Sequence, residues 1–517
     1  STIRSGIYAC YDSAAGCNST YYNSEANIRN STLYYGGFYV YQLSDFNLHN
    51  SEIKDTLKIT SVNTTVSGSK IHGMTYIDSR TIKITDMAKL HGIEDHVNVW
   101  NPSSHLTMNN VTLTDVIDLL ESGGSLDFTN STCSTWGRVG HDFVNMTNVY
   151  FGSYLNIASA SNHAYLNNVT VNQYLFGTVN DLRLEGVETG YGSDTLRANK
   201  LWMSNSTFEK TSDSTDNYYI YVSDLDNHDN PSTEDIYIYN STIRFNTTSD
   251  GNYAFLFDID TTGDIQIIDS EINATRYRTS TIELEGSEVL IRNSTIWSGT
   301  YHTSTGQRCY YYDISYCVSN YGSDAMYRYI YSYLTLEANN LTITDSILKS
   351  TSEQTATAQR PANWGSGYEY WLKASADVDV DVEYDMKVDD SLILGLVYNP
   401  GPDTYGRDYN DQAYLDYDIA AQNLEVLDST LMGKRVAGQG SYSLLTTIDS
   451  GGGEVDIQES WLGLYNSDGN FQIRETNYTL SITNSTISTT IAACNDGYGC
   501  NTTYQNAEAF IDNSTLN

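Results

Sequence analysis

The feature that most constrains this chain is a short phrase that recurs along it. In its clearest form the alternating stretch 289–292 (VLIR) is followed by 293–296 (NSTI). An alternating apolar run, a polar turn residue and a second short apolar run predict a strand, a bend and a strand. Recurrence of such a unit indicates a repeat fold in which each turn packs on its neighbours. The turn residues of the phrase are Asn30, Asn50, Gly68, Asp86, Asn110, Asn130, Asn148, Asn168, Gly186, Asn205, Asn240, Asp269, Asn293, Asp345, Asp390, Asp428, Glu459, Asn484 and Asn513.

The spacing of these residues predicts an all-β parallel β-helix of about 19 or more rungs. About 19 residues per turn is too few for a propeller blade, and the phrase has neither the spacing nor the helical half of a leucine-rich repeat. Rungs of a parallel β-helix stack about 4.8 Å apart. We expect regular rungs over 1–205 and the same β-helix over 206–517, with loop insertions at about 208–235, 297–332, 350–377 and 396–420.

The stretches 291–296 (IRNSTI) and 480–487 (LSITNSTI) also carry a family resemblance. They resemble the right-handed parallel β-helix proteins of the pectin-lyase-like superfamily. More narrowly, they are similar to repetitive surface glycoproteins and fibre subunits of archaea and bacteria. The resemblance covers almost the whole chain and implies a right-handed solenoid, but no activity.

A second, longer repeat joins the two ends of the sequence. Residues 1–33 and 485–516 align with one gap, and 20 of the 32 aligned positions are identical. This predicts a unit of about 484 residues that recurs, although similar capping modules at both ends would give the same pattern. Caps normally differ from interior repeats. We therefore expect open β-helix ends that polymerise head to tail, since unpaired strand edges accept further strands.

Charge and hydropathy exclude two classes of partner. The formal net charge is −37, from 64 acidic and 27 basic residues. Nucleic acids and anionic membranes both attract basic proteins, so neither is an expected partner. The sequence has no apolar run long enough to cross a bilayer, so no membrane insertion is expected in this segment.

Six of the seven cysteines form close pairs in loop-like sequence. No histidine or further cysteine accompanies a pair at metal-ligand spacing, so disulfides are favoured over metal sites. Disulfides indicate an oxidising, extracellular or cell-surface location. Cys133 occupies an aliphatic position of the phrase and is predicted to be an unpaired core residue. The predicted disulfides are Cys10–Cys17, Cys309–Cys317 and Cys494–Cys500.

The strongest chemical signal is N-glycosylation at Asn-x-Ser/Thr. Nine of the seventeen sequons lie at turn residues of the phrase, where Asn also suits a left-handed turn. Carboxylates take the same position elsewhere and could not stack inside the fold, so the position is expected to face solvent. The sequons are Asn18, Asn30, Asn63, Asn110, Asn130, Asn145, Asn168, Asn205, Asn240, Asn246, Asn273, Asn293, Asn340, Asn477, Asn484, Asn501 and Asn513, of which Asn18, Asn246, Asn273 and Asn501 were expected to be the most accessible.

Calcium is the one cofactor considered, because alternating Asp residues and backbone carbonyls can supply its oxygen ligands. The acidic turn column Asp345, Asp390, Asp428 and Glu459 is one candidate site. Two further clusters are weak candidates, and the second lacks the bidentate Glu of an EF-hand loop. They are Asp224, Asp226 and Asp229, and Asp258, Asp260 and Asp264.

An enzyme is not expected, although many β-helices cleave polysaccharides. Of four polygalacturonase-like elements, the sequence has only the Asp pair Asp389–Asp390, which the turn pattern explains. His72, His91 and His96 have no nucleophile or metal partner at meaningful spacing. Tyr-rich clusters could make subunit or sugar contacts or simply cover the rungs locally. Trp364 and Trp371 make 350–377 the insertion expected to bind a partner.

These features together predict a structural or adhesive extracellular glycoprotein of a surface filament, sheath or S-layer-like assembly. The expected partners are further copies of the chain, head to tail and laterally, N-linked glycans and surface carbohydrate. Two alternatives remain open, a polysaccharide lyase or hydrolase and a viral tailspike-like receptor-binding protein. Sequon density, acidity and repetition suggest an archaeal source.

Overall fold

A computed structural model shows the architecture of the chain. It describes residues 2–3, 7–8, 24–34, 38–95, 105–119, 123–158, 161–190, 195–210, 218–223, 232, 234–246, 254–275, 279–302, 327–354, 370–399, 409–437, 442–450, 454–465, 471–475, 479–488, 490–492 and 508–516. Within these ranges the ordered elements are 42 β-strands and no helix. Neighbouring strands pair in parallel, so the fold is the predicted all-β parallel β-helix.

The chain divides into two compact units, Ser1–Glu209 with Ser223–Asp229, and Lys210–Val222 with Asn230–Asn517. The strands up to residue 210 are β1 Thr2–Ile3, β2 Ile7–Tyr8, β3 Glu25–Arg29, β4 Thr32–Leu33, β5 Phe38–His49, β6 Glu52–Ile53, β7 Leu57–Ser67, β8 Lys70–Asp95, β9 His105–Leu113, β10 Ile117–Leu119, β11 Ser125–Cys133, β12 Gly137–Val139, β13 Phe143–Phe151, β14 Leu155–Ile157, β15 His163–Val171, β16 Leu175–Glu185, β17 Glu188–Thr189, β18 Thr195–Ser204 and β19 Thr207–Lys210.

The later strands follow the same scheme. They are β20 Tyr218–Val222, β21 Ile236–Tyr239, β22 Thr242–Asn246, β23 Ala254–Asp260, β24 Ile265–Ile268, β25 Glu271–Thr275, β26 Thr279–Arg292, β27 Thr295–His302, β28 Tyr327–Thr344, β29 Ile347–Gln354, β30 Tyr370–Asp389, β31 Leu392–Asn399, β32 Tyr409–Leu427, β33 Thr430–Ala437, β34 Tyr442–Ser450, β35 Val455–Gln458, β36 Trp461–Tyr465, β37 Phe471–Glu475, β38 Thr479–Thr483, β39 Thr486–Ser488, β40 Thr490–Ala492, β41 Glu508–Asp512 and β42 Thr515–Leu516.

The four strands β9, β11, β13 and β15 show how the repeat becomes a stack. Each has nine residues, and their burial patterns are the same up to one position. Phe128 of β11 lies opposite Met108 of β9 and Met146 of β13, and all three are buried. A repeat of 18 to 20 residues therefore superposes like positions, and the inward ones form a continuous apolar core.

Every predicted turn residue has a left-handed backbone. All nineteen have φ between 43° and 61°, and every described non-glycine residue with positive φ belongs to this set. Asn and Asp tolerate this conformation better than other side chains, and glycine adopts it without strain, as at Gly68 and Gly186. The turn N–H groups stay paired across rungs, as from Asn293 to the Thr344 carbonyl at 3.0 Å. The phrase thus predicts both the strands and the bend between them.

A ladder of serines, buried except for the half-buried Ser514, follows the turns, and the sequence pattern alone does not predict it. In the second unit the Ser294 N–H donates to Ser346 Oγ at 3.1 Å, and the Ser346 N–H donates to Ser391 Oγ at 3.0 Å. Each Oγ also donates to the carbonyl two residues earlier, as Ser346 does to Thr344 at 2.6 Å. The hydroxyl satisfies an N–H that the bend turns away from the regular strand ladder. The ladder is continuous through Ser241, Ser270, Ser294, Ser346, Ser391, Ser429, Ser460, Ser485 and Ser514.

The core of each unit is aliphatic and aromatic, as the alternation predicts. Ile291, Ile296, Ile482 and Ile487 are each 0 % exposed. Cys133 is also fully buried and unpaired, which confirms its prediction as a core residue. Burial raises the pKa of its thiol to about 11, so the thiol stays protonated at neutral pH.

Strands extend into all four of the predicted loop insertions. In the second unit, the strands that reach into the predicted insertions include β27, β28, β30 and β32. The inward positions there are small, including Ser298, Ser350, Ala374, Ala376 and Ala413, all buried. An alternation read from large aliphatics misses strands whose inward face is Ser or Ala. Residues 303–326, 355–369 and 400–408, the middle parts of three insertions, lie outside the described ranges.

Candidate modification and assembly surfaces

The turn residues form an exposed column along each unit. In the first unit the Asn148 Nδ2 donates to Asn130 Oδ1 at 3.0 Å, and the Asn168 Nδ2 donates to Asn148 Oδ1 at 2.7 Å. In the second unit Asn293 and Asn513 donate in the same way, at 2.7 Å, to the preceding turn side chains. All nine sequon asparagines at turns are exposed: Asn30, Asn110, Asn130, Asn168, Asn205, Asn240, Asn293, Asn484 and Asn513.

The acidic turn residues lie in the same solvent-facing position. Asp345, Asp390, Asp428 and Glu459 are all exposed, with φ between 44° and 51°. This confirms the inference that carboxylates in the column require it to face solvent. The column is therefore an outer surface of the β-helix.

Most of the described sequons within strands are less accessible, although Asn246 and Asn273 are expected from the sequence to be among the most accessible. Asn145, Asn246 and Asn273 are half-buried, and the Oδ1 atom of each is buried without a hydrogen-bond partner. Asn145 Nδ2 donates to an Asp127 carboxylate oxygen at 3.0 Å. Alternation explains the difference, because a strand side chain packs between its neighbours on adjacent rungs whereas a turn side chain projects beyond them.

The two remaining described strand sequons also bind carboxylates. Asn340 is half-buried and donates to Glu288 Oε1 at 2.6 Å, while Asn63 is exposed and donates to Asp45 Oδ1 at 2.9 Å. Several predicted site residues lie outside the described ranges. They are the sequons Asn18, Asn477 and Asn501, the paired cysteines Cys10, Cys17, Cys309, Cys317, Cys494 and Cys500, and also Asp224, Asp226, Asp229, His96 and Trp364.

Stacking assembles an acidic face in the second unit that was not predicted as a whole. In the strand register Asp258 lies opposite Glu283, and Asp379 lies opposite Asp418. Further acidic pairs in register are Asp260–Glu285, Glu285–Glu337, Glu337–Asp381 and Asp377–Asp416. These residues are separated by up to 160 positions in sequence, so only the register brings them together.

Crowding on this face perturbs its carboxyl groups. Partial burial, with the charge of Asp416 next in importance, raises the pKa of Asp377 to about 7. Burial and then Glu283 raise the pKa of Asp258 to about 6. Burial and then Asp418 raise the pKa of Asp379 as well. Like charges held in register disfavour the ionised forms, so the face resists full ionisation at neutral pH.

The structure gives no support to the calcium candidates that it describes. Among the described residues no group of three or more His, Cys, Asp or Glu side chains could hold a metal ion. Asp258 and Asp260 lie opposite Glu283 and Glu285 on the next rung. The Asp264 N–H donates to Asp235 Oδ1 at 3.0 Å. The acidity of this region is spread along a face, not gathered around one point.

The candidate catalytic residues make surface contacts of an ordinary kind. His72 Nε2 lies 2.8 Å from Glu52 Oε1, and Lys54 pairs with the same carboxylate. Asp389 lies 3.6 Å from the Lys387 ammonium, while Asp390 is a turn residue. Ordinary surface contacts and the turn conformation explain the positions of His72, Asp389 and Asp390 without a catalytic role. The absence of catalysis stays a prediction.

Outer aromatic side chains stack on one another along the rungs. In the first unit Trp136, Tyr154 and Tyr174 stack with ring centroids 5.4 and 5.0 Å apart. In the second unit Tyr331 and Tyr333 stack within one strand at 6.1 Å. Stacked rings cover each other's faces, which accounts for part of the tyrosine content by local packing.

One strand edge in the second unit exposes apolar side chains. Ile511 of β41 lies opposite Ile482, and Leu516 of β42 lies opposite Ile487. Ile482 and Ile487 are fully buried, whereas Ile511 is 43 % and Leu516 50 % exposed. The two edge residues occupy core positions of the rung, but no described strand pairs with them on their other side.

The two homologous segments adopt the same local structure. In the first unit β1 pairs with β4 through Thr2–Thr32 and Ile3–Leu33. In the second unit β39 pairs with β42 through Thr486–Thr515 and Ile487–Leu516. These positions are related by the sequence offsets of 484 and 483, and β3 (Glu25–Arg29) corresponds likewise to β41 (Glu508–Asp512). The sequence repeat is therefore also a repeat of strand positions and register.

Comparison with known proteins gives no relative from which a function could be transferred. No family model, no curated protein and no solved structure matches the chain. No helix among the described residues is long and apolar enough to cross a membrane.

Proposed function

We propose that this chain is a structural or adhesive subunit of an extracellular filament, sheath or surface layer, and that it assembles by end-to-end stacking of β-helical rungs. The observation that carries the proposal is that the strand register of β1 with β4 recurs in β39 with β42, so that Ile511 and Leu516 occupy core positions onto which a rung of the same kind can stack. An uncovered parallel edge presents both unpaired backbone groups and apolar surface. A further rung with the same register would satisfy both.

The repeated ends support a second copy, or the next repeat, as the source of that rung. In the first unit β3 and β4 match β41 and β42 in length and in spacing along the sequence, and β1 begins at the position that corresponds to the start of β39. β3 is itself covered by residues 45–49 of β5, with Ile28 opposite Leu48. A rung like this one would place an aliphatic side chain over Ile511, because Ile511 corresponds to Ile28.

The remaining features fit an exposed polymer. The net charge of −37 and the solvent-facing polar column favour solubility along the sides, so association is directed to the edges. The proposal also includes the resemblance of the sequence to repetitive surface glycoproteins and to right-handed pectin-lyase-like folds. Further copies of the chain, N-linked glycans and surface carbohydrate are its proposed partners.

The test is assembly of the purified chain, followed by electron microscopy and sedimentation. Wild-type protein should form end-to-end filaments, and the double variant Ile511→Lys with Leu516→Lys should remain as single subunits. Phe143→Lys is the matched control, because Phe143 is 54 % exposed on a lateral face of the first unit. This control should assemble as the wild type does. Discrete wild-type particles at all concentrations, or assembly of the edge variant, would overturn the proposal.

A further inference from the structure

The turn column has the properties of a modification surface, and the half-buried strand sequons do not. The turn asparagines are exposed, and the hydrogen bonds between turn side chains, from Asn110, Asn148, Asn168, Asn293 and Asn513, each use one Nδ2 hydrogen, as from Asn168 to Asn148 at 2.7 Å. A carboxamide nitrogen carries two hydrogens. One hydrogen therefore remains for substitution, and the Oδ1 acceptor is retained, so the ladder can survive glycosylation.

The strand sequons lack this freedom in the folded chain. The Oδ1 atoms of Asn145 and Asn273 are buried, and their Nδ2 groups are held by Asp127 and Glu271, each at 3.0 Å. Asn340 is held on both sides, since its Oδ1 also accepts the Asp385 N–H at 3.2 Å. Adding a sugar at these positions requires breaking a hydrogen bond to a carboxylate and moving a packed side chain.

Stacking also limits how densely the column can be modified. Adjacent turn residues are one rung apart, about 4.8 Å, which is less than the width of a substituted pyranose ring. Between 130 and 205 the sequons fall on alternate turns, at Asn130, Asn168 and Asn205, with Asn148 and Gly186 between them. That spacing gives each glycan about two rungs. Asn110 and Asn130 are the exception in the first unit, because both are sequons on neighbouring rungs.

We propose that the folded chain is glycosylated along its turn column and not at the half-buried strand sequons Asn145, Asn273 and Asn340, and that Asn110 and Asn130 share a single glycan. The inference rests on the extracellular location in the proposed function. In the reaction, Nδ2 attacks the anomeric carbon of a phosphate-activated sugar. The N–C bond forms as the bond from that carbon to the phosphate oxygen breaks, the phosphate leaves with the electron pair, and the amide loses one proton.

The test is mass spectrometry of intact glycopeptides from the full chain isolated from its source cells. Sugar should be present at the turn sequons and absent at Asn145, Asn273 and Asn340. Occupancy of Asn145, Asn273 or Asn340 equal to that of the turns would overturn the inference, since it would mean modification before folding. Unmodified asparagine at every sequon would also overturn it. Neither result bears on stacking, because filament formation is scored separately by microscopy.

Shared occupancy has its own test, which removes a sequon but keeps the turn asparagine. Thr112→Ala abolishes the Asn110 sequon, so occupancy of Asn130 should rise to that of the isolated site Asn168. The matched control Thr170→Ala abolishes the Asn168 sequon and should leave Asn130 unchanged. Peptides in which Asn110 and Asn130 are both fully occupied on the same wild-type chain would refute the sharing.

Discussion

The serine ladder makes the most specific prediction, at Ser346. Its hydroxyl is buried, accepts the Ser294 N–H at 3.1 Å and donates to the Thr344 carbonyl at 2.6 Å. Ser346→Ala removes the acceptor and leaves the Ser294 N–H buried without a partner. The Ser346 N–H keeps its own bond to Ser391, so the effect is confined to one rung contact.

The expected cost follows from these two bonds. An unsatisfied buried donor costs about 1–3 kcal/mol, and the lost donated bond adds about 0.5–1 kcal/mol, so we expect about 1.5–4 kcal/mol in total. Solenoids unfold locally, so the best readout is native-state hydrogen exchange at the Ser294 amide beside the melting temperature. A loss of about 2 kcal/mol corresponds to exchange faster by roughly 30-fold if exchange follows local opening of this rung.

Two further variants separate the hydrogen bond from packing. Ser346→Val refills the volume without an acceptor and should be no more stable than Ser346→Ala. Ser481→Ala changes a half-exposed serine on an outward position of β38 and should cost less than about 0.5 kcal/mol. The reasoning is refuted if Ser346→Ala affects stability and Ser294 exchange no more than Ser481→Ala does.

Three more predictions concern titration and the turns. His141 is 1 % exposed, and burial lowers its pKa to about 4. The stability difference between wild type and His141→Gln should therefore be constant above pH 6.5 and should move against the wild type by up to about 3 kcal/mol as pH falls to 4. Thermal melts measure this difference, and a difference that does not change with pH contradicts the prediction. The pH dependence of stability at Asp377 has the opposite sign, because its raised pKa of about 7 makes the charge destabilising at pH 8 and harmless below pH 4. Asp377→Asn should stabilise the protein by about 2 kcal/mol at pH 8, after discounting for partial exposure, and by little at pH 4, in the same melts. Glu459 holds φ of 51°, so Glu459→Gly should raise stability by about 0.5–1 kcal/mol, whereas the same change at Glu425, within β32, should lower it.

Local sequence pattern was sufficient to predict a residue's structural position where a single physical reason selects the residue type. The turn residues could be found from sequence because few side chains tolerate a left-handed backbone, and Ser or Val follows each of them except Asp86. Cys133 could be placed in the core because it replaced an aliphatic residue at a fixed offset from Asn130. The alternation of large apolar residues does not predict strands whose inward residues are small, as at Ala374 and Ala376, and those strands fall within predicted loop insertions.

The candidate surfaces divide in the same way. The sequence identified every sequon but ranked Asn246 and Asn273 above the turn sites, since accessibility depends on neighbouring rungs that are 24 or more residues away. The acidic face could not be foreseen either. Asp377 and Asp416 meet only because β30 and β32 pair in a particular register.

The sequence by itself determined the parallel β-helix, the nineteen left-handed turns and the recurrence of the segment 1–33 at 485–516. These features are local, or are repeats of local features, and local sterics and alternation set them. Only the tertiary structure decided the serine ladder, the acidic face and the accessibility of the sequons within the described residues. Those depend on which residues of successive rungs come within hydrogen-bond or Coulomb distance, and variable insertions between rungs hide that register from the sequence.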